Sequence, residues 1–336
     1  MGHKILITGA SGFIGSFMVE GALKRGFETW AGIRASSSRR YLSDASIHFI
    51  ELPYDNREKL KEVLLKCLAE FGGWDYIVHN AGVTQCVDTR DFYKVNYENT
   101  RLLIDLLKEL GMIPKKFIYM SSLSVFGPGD EVHMTPIRPT DSRKPNTEYG
   151  KSKLFTEEYL YSLPDFPFII LRPTGVYGPR DKDYLMLIKT VKSGLDIAVG
   201  FKPQIITFIY VKDLVKALYL AIEKAEVRSA FFITDGHNYT SNDYTRLVKK
   251  KLGLKHVLSL RIPLFVVAAI SYTLGSIMQR MGRSFTLNGD KYKIMKQRNW
   301  ACDTGDLTEK LGFKADYDLQ RGVNESIDWY RNEHWL

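Results

Sequence analysis

Cysteine is scarce in this chain: Cys67, Cys86 and Cys302 are its three among 336 residues. They are odd in number, far apart and away from paired histidines, which argues against a disulfide framework or a zinc site and fits a reducing cytoplasm. The formal net charge is +9, yet no lysine/arginine block is long enough, or interleaved with enough aromatics, to build a nucleic-acid face. The charge is therefore read as that of a basic enzyme whose small-molecule substrates carry phosphates. No low-complexity linker and no internal repeat divides the chain. The first strand pattern begins almost at Met1, which leaves no room for a signal peptide and sets the expectation of a cytoplasmic protein. With 45% hydrophobic and 25% charged residues, the rest of the composition is that of an ordinary globular protein.

Against these absences stands one stretch, Thr8-Gly9-Ala10-Ser11-Gly12-Phe13-Ile14-Gly15. The β-branched and leucine run Lys4–Thr8 precedes it. Phe13, Ile14, Phe17, Met18, Ala22 and Leu23 recur behind it at helical spacing until Gly26. Strand, glycine turn and helix are the context of a dinucleotide-binding turn. Gly9 permits the tight turn, Gly12 lets the backbone approach a pyrophosphate, and Gly15 lets helix and strand pack closely. The helix N-terminus offers free N–H groups to that pyrophosphate. The spacing is G-x-x-G-x-x-G rather than the commoner G-x-G-x-x-G.

Further strands are predicted over 27–33, 47–52, 75–79, 117–121 and 168–171, with helices over 56–71, 91–110 and from about Tyr149. This alternation implies an α/β fold, a Rossmann-type doubly wound parallel sheet with helices on both faces. Ligands in such sheets sit beyond the carboxyl ends of the strands. Gly9–Gly15, Arg34, Asp55, Asn80-Ala81-Gly82 and Ser121-Ser122 all fall there. After Gly178-Pro179 the alternation weakens. Helical patterns cover 183–193, 212–224, 241–252 and 263–281, with extended pieces at 205–211 and 230–234. Two domains are expected: a nucleotide-binding domain over 1–175, to which some later elements return, and a smaller, mostly helical substrate lobe over 176–336.

Tyr149 and Lys153 stand at i and i+4, on one face of a helix. A lysine cation nearby favours the phenolate and makes tyrosine a workable proton donor and acceptor. Ser122, at the end of the fifth strand, offers a hydroxyl to the same substrate oxygen.

These segments, with Ser121–Gly127, Leu171–Pro179 and Phe208–Leu214, resemble the extended short-chain dehydrogenase/reductases, the NAD-dependent epimerase/dehydratase family. The resemblance implies that Tyr149 is the general acid/base, that Lys153 binds the nicotinamide ribose, and that Ser122 is the catalytic hydroxyl. It implies cofactor contacts from Gly9, Ser11, Gly12, Phe13, Ile14, Gly15, Asn80, Ala81 and Gly82, with Pro173 and Thr174 near the carboxamide. Asp55 resembles the residue that contacts the adenine amine, or else is a helix N-cap. Asn96 resembles the asparagine that organises proton relay, or else serves a buried helix kink. In this family the helices near 91–110 and 149–163 commonly form a dimer bundle, so a homodimer is expected.

Leu123 and Ser124 stand where sugar dehydratases carry an acidic pair, which argues against dehydration. The second strand ends in Ile33-Arg34 rather than an acid, as in dihydroflavonol-reductase-like and 3β-hydroxysteroid-dehydrogenase-like members; NADP(H) is therefore preferred, with NAD(H) as the alternative. Ile262–Gln279 is an uncharged helical stretch suited to a lobe that receives an apolar substrate. It reads as a core or pocket helix. Peripheral membrane contact, aided by Lys249–Lys251, Lys255, Arg261, Arg280 and Arg283, is the second reading, and a membrane span the third. The expected activity is ketone–alcohol interconversion on a bulky, partly apolar molecule such as a lipid, sterol or polyketide. Nucleotide-sugar epimerisation is the alternative.

Overall fold

The computed structural model describes residues 2–280 and 289–336. Met281 and Arg283, which the sequence reading includes, lie outside them. In chain order the elements begin with β1 (Lys4–Thr8), α1 (Phe13–Leu23), β2 (Glu28–Ile33), β3 (His48–Glu51), α2 (Arg57–Phe71) and β4 (Tyr76–His79). Then come α3 (Arg90–Phe92), a π-helical turn (Tyr93–Glu98), α4 (Asn99–Glu109), β5 (Lys116–Met120), a 3-10 turn (Leu123–Phe126) and α5 (Glu148–Ser162). β6 (Phe168–Pro173), β7 (Gly175–Tyr177), α6 (Asp183–Lys192), β8 (Leu195–Val199), β9 (Ile205–Ile206) and β10 (Phe208–Tyr210) follow. The remainder is α7 (Val211–Lys224), β11 (Ser229–Ile233), β12 (Tyr239–Thr240), α8 (Ser241–Leu252), β13 (Leu258–Ile262) and α9 (Leu264–Arg280). It closes with α10 (Gly289–Lys296), α11 (Gly305–Leu311) and α12 (Leu319–Asn332).

The chain forms two compact units. The first comprises Met1–Ser122, Lys151–Arg172 and Val215–Phe231, the second Leu123–Gly150, Pro173–Leu214 and Phe232–Leu336. A seven-stranded sheet in the order β11-β6-β5-β4-β1-β2-β3 organises the first. The strands from β3 to β6 pair in parallel, so their carboxyl ends share one edge. The extended piece predicted at 230–234 is the outermost strand of this sheet. β1, β4, β5 and β6 read as near-continuous apolar runs because helices cover both faces. Leu103, Ile104, Leu106 and Leu107 of α4 pack with Leu60 and Leu64 of α2 and Phe117 of β5 in one buried cluster. Each such side chain contributes about 1.5–3 kcal/mol of burial.

The helix predicted over 91–110 is interrupted. Its middle is the π-helical turn, where Thr100 and Thr156 both donate hydroxyl hydrogen bonds to the Asn96 carbonyl, each at 2.8 Å.

The second unit buries an aromatic core: Tyr177, Phe208, Tyr210, Tyr244 and Tyr330 with Ile188, Val323 and Ile327. Gly322 lets α12 close on it, since a Cβ there would sit 2.1 Å from the Tyr177 hydroxyl oxygen. Small sheets β10-β7, β12-β9 and β13-β8 complete it. The extended piece predicted at 205–211 therefore divides, β9 pairing with β12 and β10 with β7. Among the described residues no helix is long and apolar enough to cross a membrane.

Candidate active site

The register sets Thr8 beside Gly32 on one side and His79 on the other, and His79 beside Tyr119. The turns that leave β1, β2, β4 and β5 therefore lie along one edge. Gly9 has φ +65°, the left-handed region in which glycine is the natural occupant. A Cβ on Gly15 would stand 2.1 Å from the Gly9 carbonyl oxygen, whereas one on Gly12 would meet only that oxygen, at 3.3 Å. Gly15 is thus required by packing, whereas at Gly12 a Cβ would need only a shift of a few tenths of an ångström. α1 has no side-chain cap and no acid in its first turn. No side chain caps its first-turn N–H groups, which carry the partial positive charge of the helix N-terminus. This arrangement fits a pyrophosphate.

The turn after β4 is locked to the turn after β1. Thr8 Oγ1 accepts from the Ala81 N–H at 3.0 Å and lies 3.1 Å from His79 Nδ1, while His79 Nε2 lies 2.9 Å from Thr100 Oγ1. Burial, with the Lys153 cation adding to it, drives the His79 imidazole down to about 3, so it is neutral. It holds Asn80-Ala81-Gly82 in place.

Arg34 follows β2 directly and is exposed, with its backbone held by Ser37 through two short hydrogen bonds. Arg39 lies over the Phe49 ring at 4.3 Å. Asp55 is not the N-cap of α2. That role belongs to Asn56, whose side chain accepts from the Lys59 N–H at 3.0 Å, and Asp55 is exposed beside it.

Lys153 is 5% exposed and donates to the Met120 carbonyl at 2.8 Å, with its ammonium 4.9 Å from the centre of the Tyr119 ring. A Cβ on Gly82 would stand 3.2 Å from that ammonium and 2.9 Å from Asn96 Oδ1. Gly82 is thus the close approach that admits both groups. Withdrawal from water pushes Lys153 down to about 8, the Glu157 carboxylate opposing this in part. Asn96 is fully buried. Its side chain accepts from the Val83 N–H at 2.8 Å and donates to the Val83 carbonyl and to Ser152 Oγ. It positions the loop after Gly82 and the turn of α5 that carries Lys153. Tyr149 stands one helical turn before Lys153 on α5, partly exposed. Ser122 follows β5, also partly exposed. Pro173 ends β6, and Thr174 donates its N–H to the Ile233 carbonyl at 3.2 Å.

Two residues that hold α5 in place escape the sequence reading. Glu157 is fully buried, receives Arg172 through both oxygens (2.9 and 2.8 Å), and accepts from Ser121 Oγ at 2.6 Å. The signal was present in the i, i+4, i+8 spacing of Tyr149, Lys153 and Glu157. Asp290 accepts from the N–H groups of Glu148 and Tyr149 at 2.7 and 3.3 Å, while Thr147 Oγ1 caps Gly150 at 3.0 Å. No local pattern announces a capping carboxylate so distant in sequence.

An uncapped helix behind a glycine turn, a buried lysine cation and a tyrosine one turn away, on a parallel sheet, define a nicotinamide-dinucleotide-dependent enzyme of the short-chain dehydrogenase/reductase type. Residues 5–233 match the NAD dependent epimerase/dehydratase family, and the chain belongs to it. It is 23% identical to the decarboxylating sterol-4-alpha-carboxylate 3-dehydrogenase of Dictyostelium discoideum, covering 96% of this chain and 99% of that one. It is 25% identical to the UDP-glucose 4-epimerase of Vibrio cholerae, covering 97% and 95%. Among solved structures, the UDP-glucose 4-epimerase of Thermotoga maritima superposes with a TM-score of 0.79 at 23% identity, covering 98% and 99%. The relatives divide between dehydrogenases or reductases and epimerases, and oxidoreductase or epimerase chemistry is what they share.

The two glycines should separate in experiment. Gly15→Ala forces a backbone clash and is expected to destabilise by about 1–3 kcal/mol. Gly12→Ala should lose less, about 0.5–1 kcal/mol, as an N-cap change. Both should weaken dinucleotide binding, measured by nicotinamide fluorescence. Equal thermal midpoints for the two variants would refute the assignment of Gly15 to packing.

The lysine makes a second prediction. Its charged form is disfavoured in the fold, so between about 8 and 10.5 the unfolded chain binds more protons, and stability rises with pH across that window. Below it the buried charge costs about 3 kcal/mol, offset by about 1 kcal/mol from the bond to Met120. Ligand-free Lys153→Met should therefore melt above the parent at pH 7, with the gap closing as pH rises towards 10.5. A lower midpoint at pH 7 overturns this.

Proposed function

We propose that this enzyme interconverts a ketone and a secondary alcohol on a bulky, partly apolar substrate, with NADP(H) preferred over NAD(H). The observation that carries the cofactor preference is Arg34, exposed immediately after β2. An acid there would accept from the ribose hydroxyls and repel a phosphate, whereas a guanidinium offers a planar fork of donors to phosphate oxygens. Gly9, Ser11, Gly12, Phe13, Ile14 and Gly15 hold the pyrophosphate. Asp55 serves the adenine, and Asn80, Ala81, Gly82, Pro173 and Thr174 line the path to the nicotinamide. When bound, the nicotinamide supplies or accepts the hydride. Tyr149 moves the proton at the substrate oxygen, Ser122 orients that oxygen, and Lys153 binds the ribose and favours the phenolate. Asn96 positions Lys153 through Ser152.

Leu123 and Ser124, neither of them acidic, speak against elimination of water. The apolar helix α9 supports an apolar substrate, as do the relatives named for a sterol carboxylate and for a farnesyl dihydroquinoline oxide, the latter a Stigmatella aurantiaca ketoreductase 22% identical over 339 residues. The second reading, a nucleotide-sugar epimerase retaining NAD, draws on the similarity to the Vibrio cholerae enzyme. A homodimer through α4 and α5 is supported by Phe155, which is 44% exposed beside Tyr93 and Tyr97.

A ketone reductase consumes external NADPH in proportion to product, while an epimerase recycles its cofactor with no net change in nicotinamide absorbance. Epimer formation from a UDP- or GDP-sugar without added nicotinamide would reverse the order of the two readings. Tyr149→Phe should cut turnover by about 10²–10⁴-fold with cofactor binding nearly intact. Retention of substantial turnover would remove the acid/base assignment.

Arg34→Asp removes a charge-assisted contact of about 1.5–3 kcal/mol, so NADPH should bind roughly ten- to a hundred-fold more weakly while NADH changes far less. Equal weakening of both cofactors would discard Arg34 as the discriminator.

A further inference from the structure

The ribbon formed by β8 and β13 is built inside out. Its parallel register sets Leu258 opposite Leu195, Leu260 opposite Ile197 and Ile262 opposite Val199, and these share one face because side chains alternate along a strand. The alternate positions, Asp196 and Ala198 on β8 with Ser259 and Arg261 on β13, occupy the other face. That polar face is the anchored one. Asp196 is buried, receives Lys249 of α8 at 2.6 Å, and lies 3.3 Å from Ser259 Oγ. Asp196 ties the polar face to α8 through Lys249, while Ser259 and Arg261 on that face are exposed, and period-two alternation turns the aliphatic residues away from the anchor. Leu258 is 60%, Ile197 46% and Leu260 42% exposed.

Both strands run to the same end, where Gly200 donates its N–H to the Ile262 carbonyl at 2.9 Å. Just beyond it lie Phe201 and Phe265, 64% and 75% exposed. The segments that carry this face are basic in sequence, although Lys251 is paired with Asp328 at 2.7 Å. From Lys249 to Phe265 the sequence has no acid, and Lys249–Lys251, Lys255 and Arg261 are all basic. From Lys192 to Lys202 the one acid is Asp196, already paired with Lys249.

We propose that this aliphatic face, tipped by Phe201 and rimmed by Lys202 and Lys255, docks the enzyme onto an anionic phospholipid surface. Charge complementarity selects the occupant. Two copies brought face to face would oppose lysine to lysine, whereas anionic headgroups attract the rim while the aliphatic side chains and phenylalanines enter the acyl boundary. The contact is interfacial and does not require a spanning helix. It is independent of the substrate reading, because its test involves no turnover.

The full-length protein is sedimented with vesicles of phosphatidylcholine, with and without phosphatidylglycerol, at low and high salt. Binding is expected only to the anionic vesicles and is expected to weaken with salt. Leu258→Ser and Phe201→Ser should each reduce the partition coefficient roughly ten- to a hundred-fold, as expected for apolar burial. Lys255→Gln should reduce it about five-fold. Thermal midpoints equal to the parent's, expected for such exposed positions, confirm that the variants are folded. Absence of parent binding, or variants that bind as well as the parent, overturns the proposal. So does a mass measurement in which Leu258→Ser splits a dimer, which would assign the face to a second copy.

Discussion

The buried pair between Glu157 and Arg172 is the constraint on which the site rests. Arg172 lies near the end of β6, Glu157 on α5, and Ser121, just after β5, donates to the same carboxylate. One bidentate contact thus fixes a helix across the ends of two strands. Losing one partner of such a pair costs about 3–5 kcal/mol because the other charge is left buried alone. With α5 held there, Lys153, one turn earlier, reaches the Met120 carbonyl without a search.

The same pair controls the local electrostatics. Glu157 stands at i+4 from Lys153 and could in principle neutralise it, but both its oxygens already receive Arg172. The lysine ammonium instead donates to the Met120 carbonyl, and Glu157 offsets its loss of hydration only in part. His79, close enough for the Lys153 charge to be felt, stays neutral and serves as a hydrogen-bonding strut between Thr8 and Thr100.

The strands and the turns that leave them were legible because apolar runs, glycines and strand ends are local signals. Where the sequence misled, the deciding partner lay elsewhere in the chain. Asp55 and Asn56 are equally good capping residues on paper, and only the path of the backbone selects Asn56. The π-helical turn lies where Thr156 reaches the Asn96 carbonyl, a partner that only folding supplies. Glu157 reads as one more helix-surface acid until β6 supplies Arg172. Asp290 caps α5 from α10, a connection that tertiary folding alone creates. The alternating polar and apolar residues of β13 read equally well with either face inward.

α7 has a bearing on how the chain acquires its structure. The Tyr219 hydroxyl donates to the Met18 carbonyl at 2.6 Å across 201 positions, and a Cβ on Gly21 would stand 2.7 Å from Val215 and 2.8 Å from Tyr219. The nucleotide-binding unit thus waits for a segment synthesised long after its first strand, and contacts of such sequence separation close slowly. Until β11 arrives, β6 is an open edge strand, a template for pairing with another nascent chain. A polypeptide stopped after residue 175 would hold the glycine turn and the tyrosine–lysine helix yet lack the cover for α1 and the last strand of its sheet. Sequence continuity and structural completeness are therefore different properties here, and the interval between them is when aggregation competes with folding.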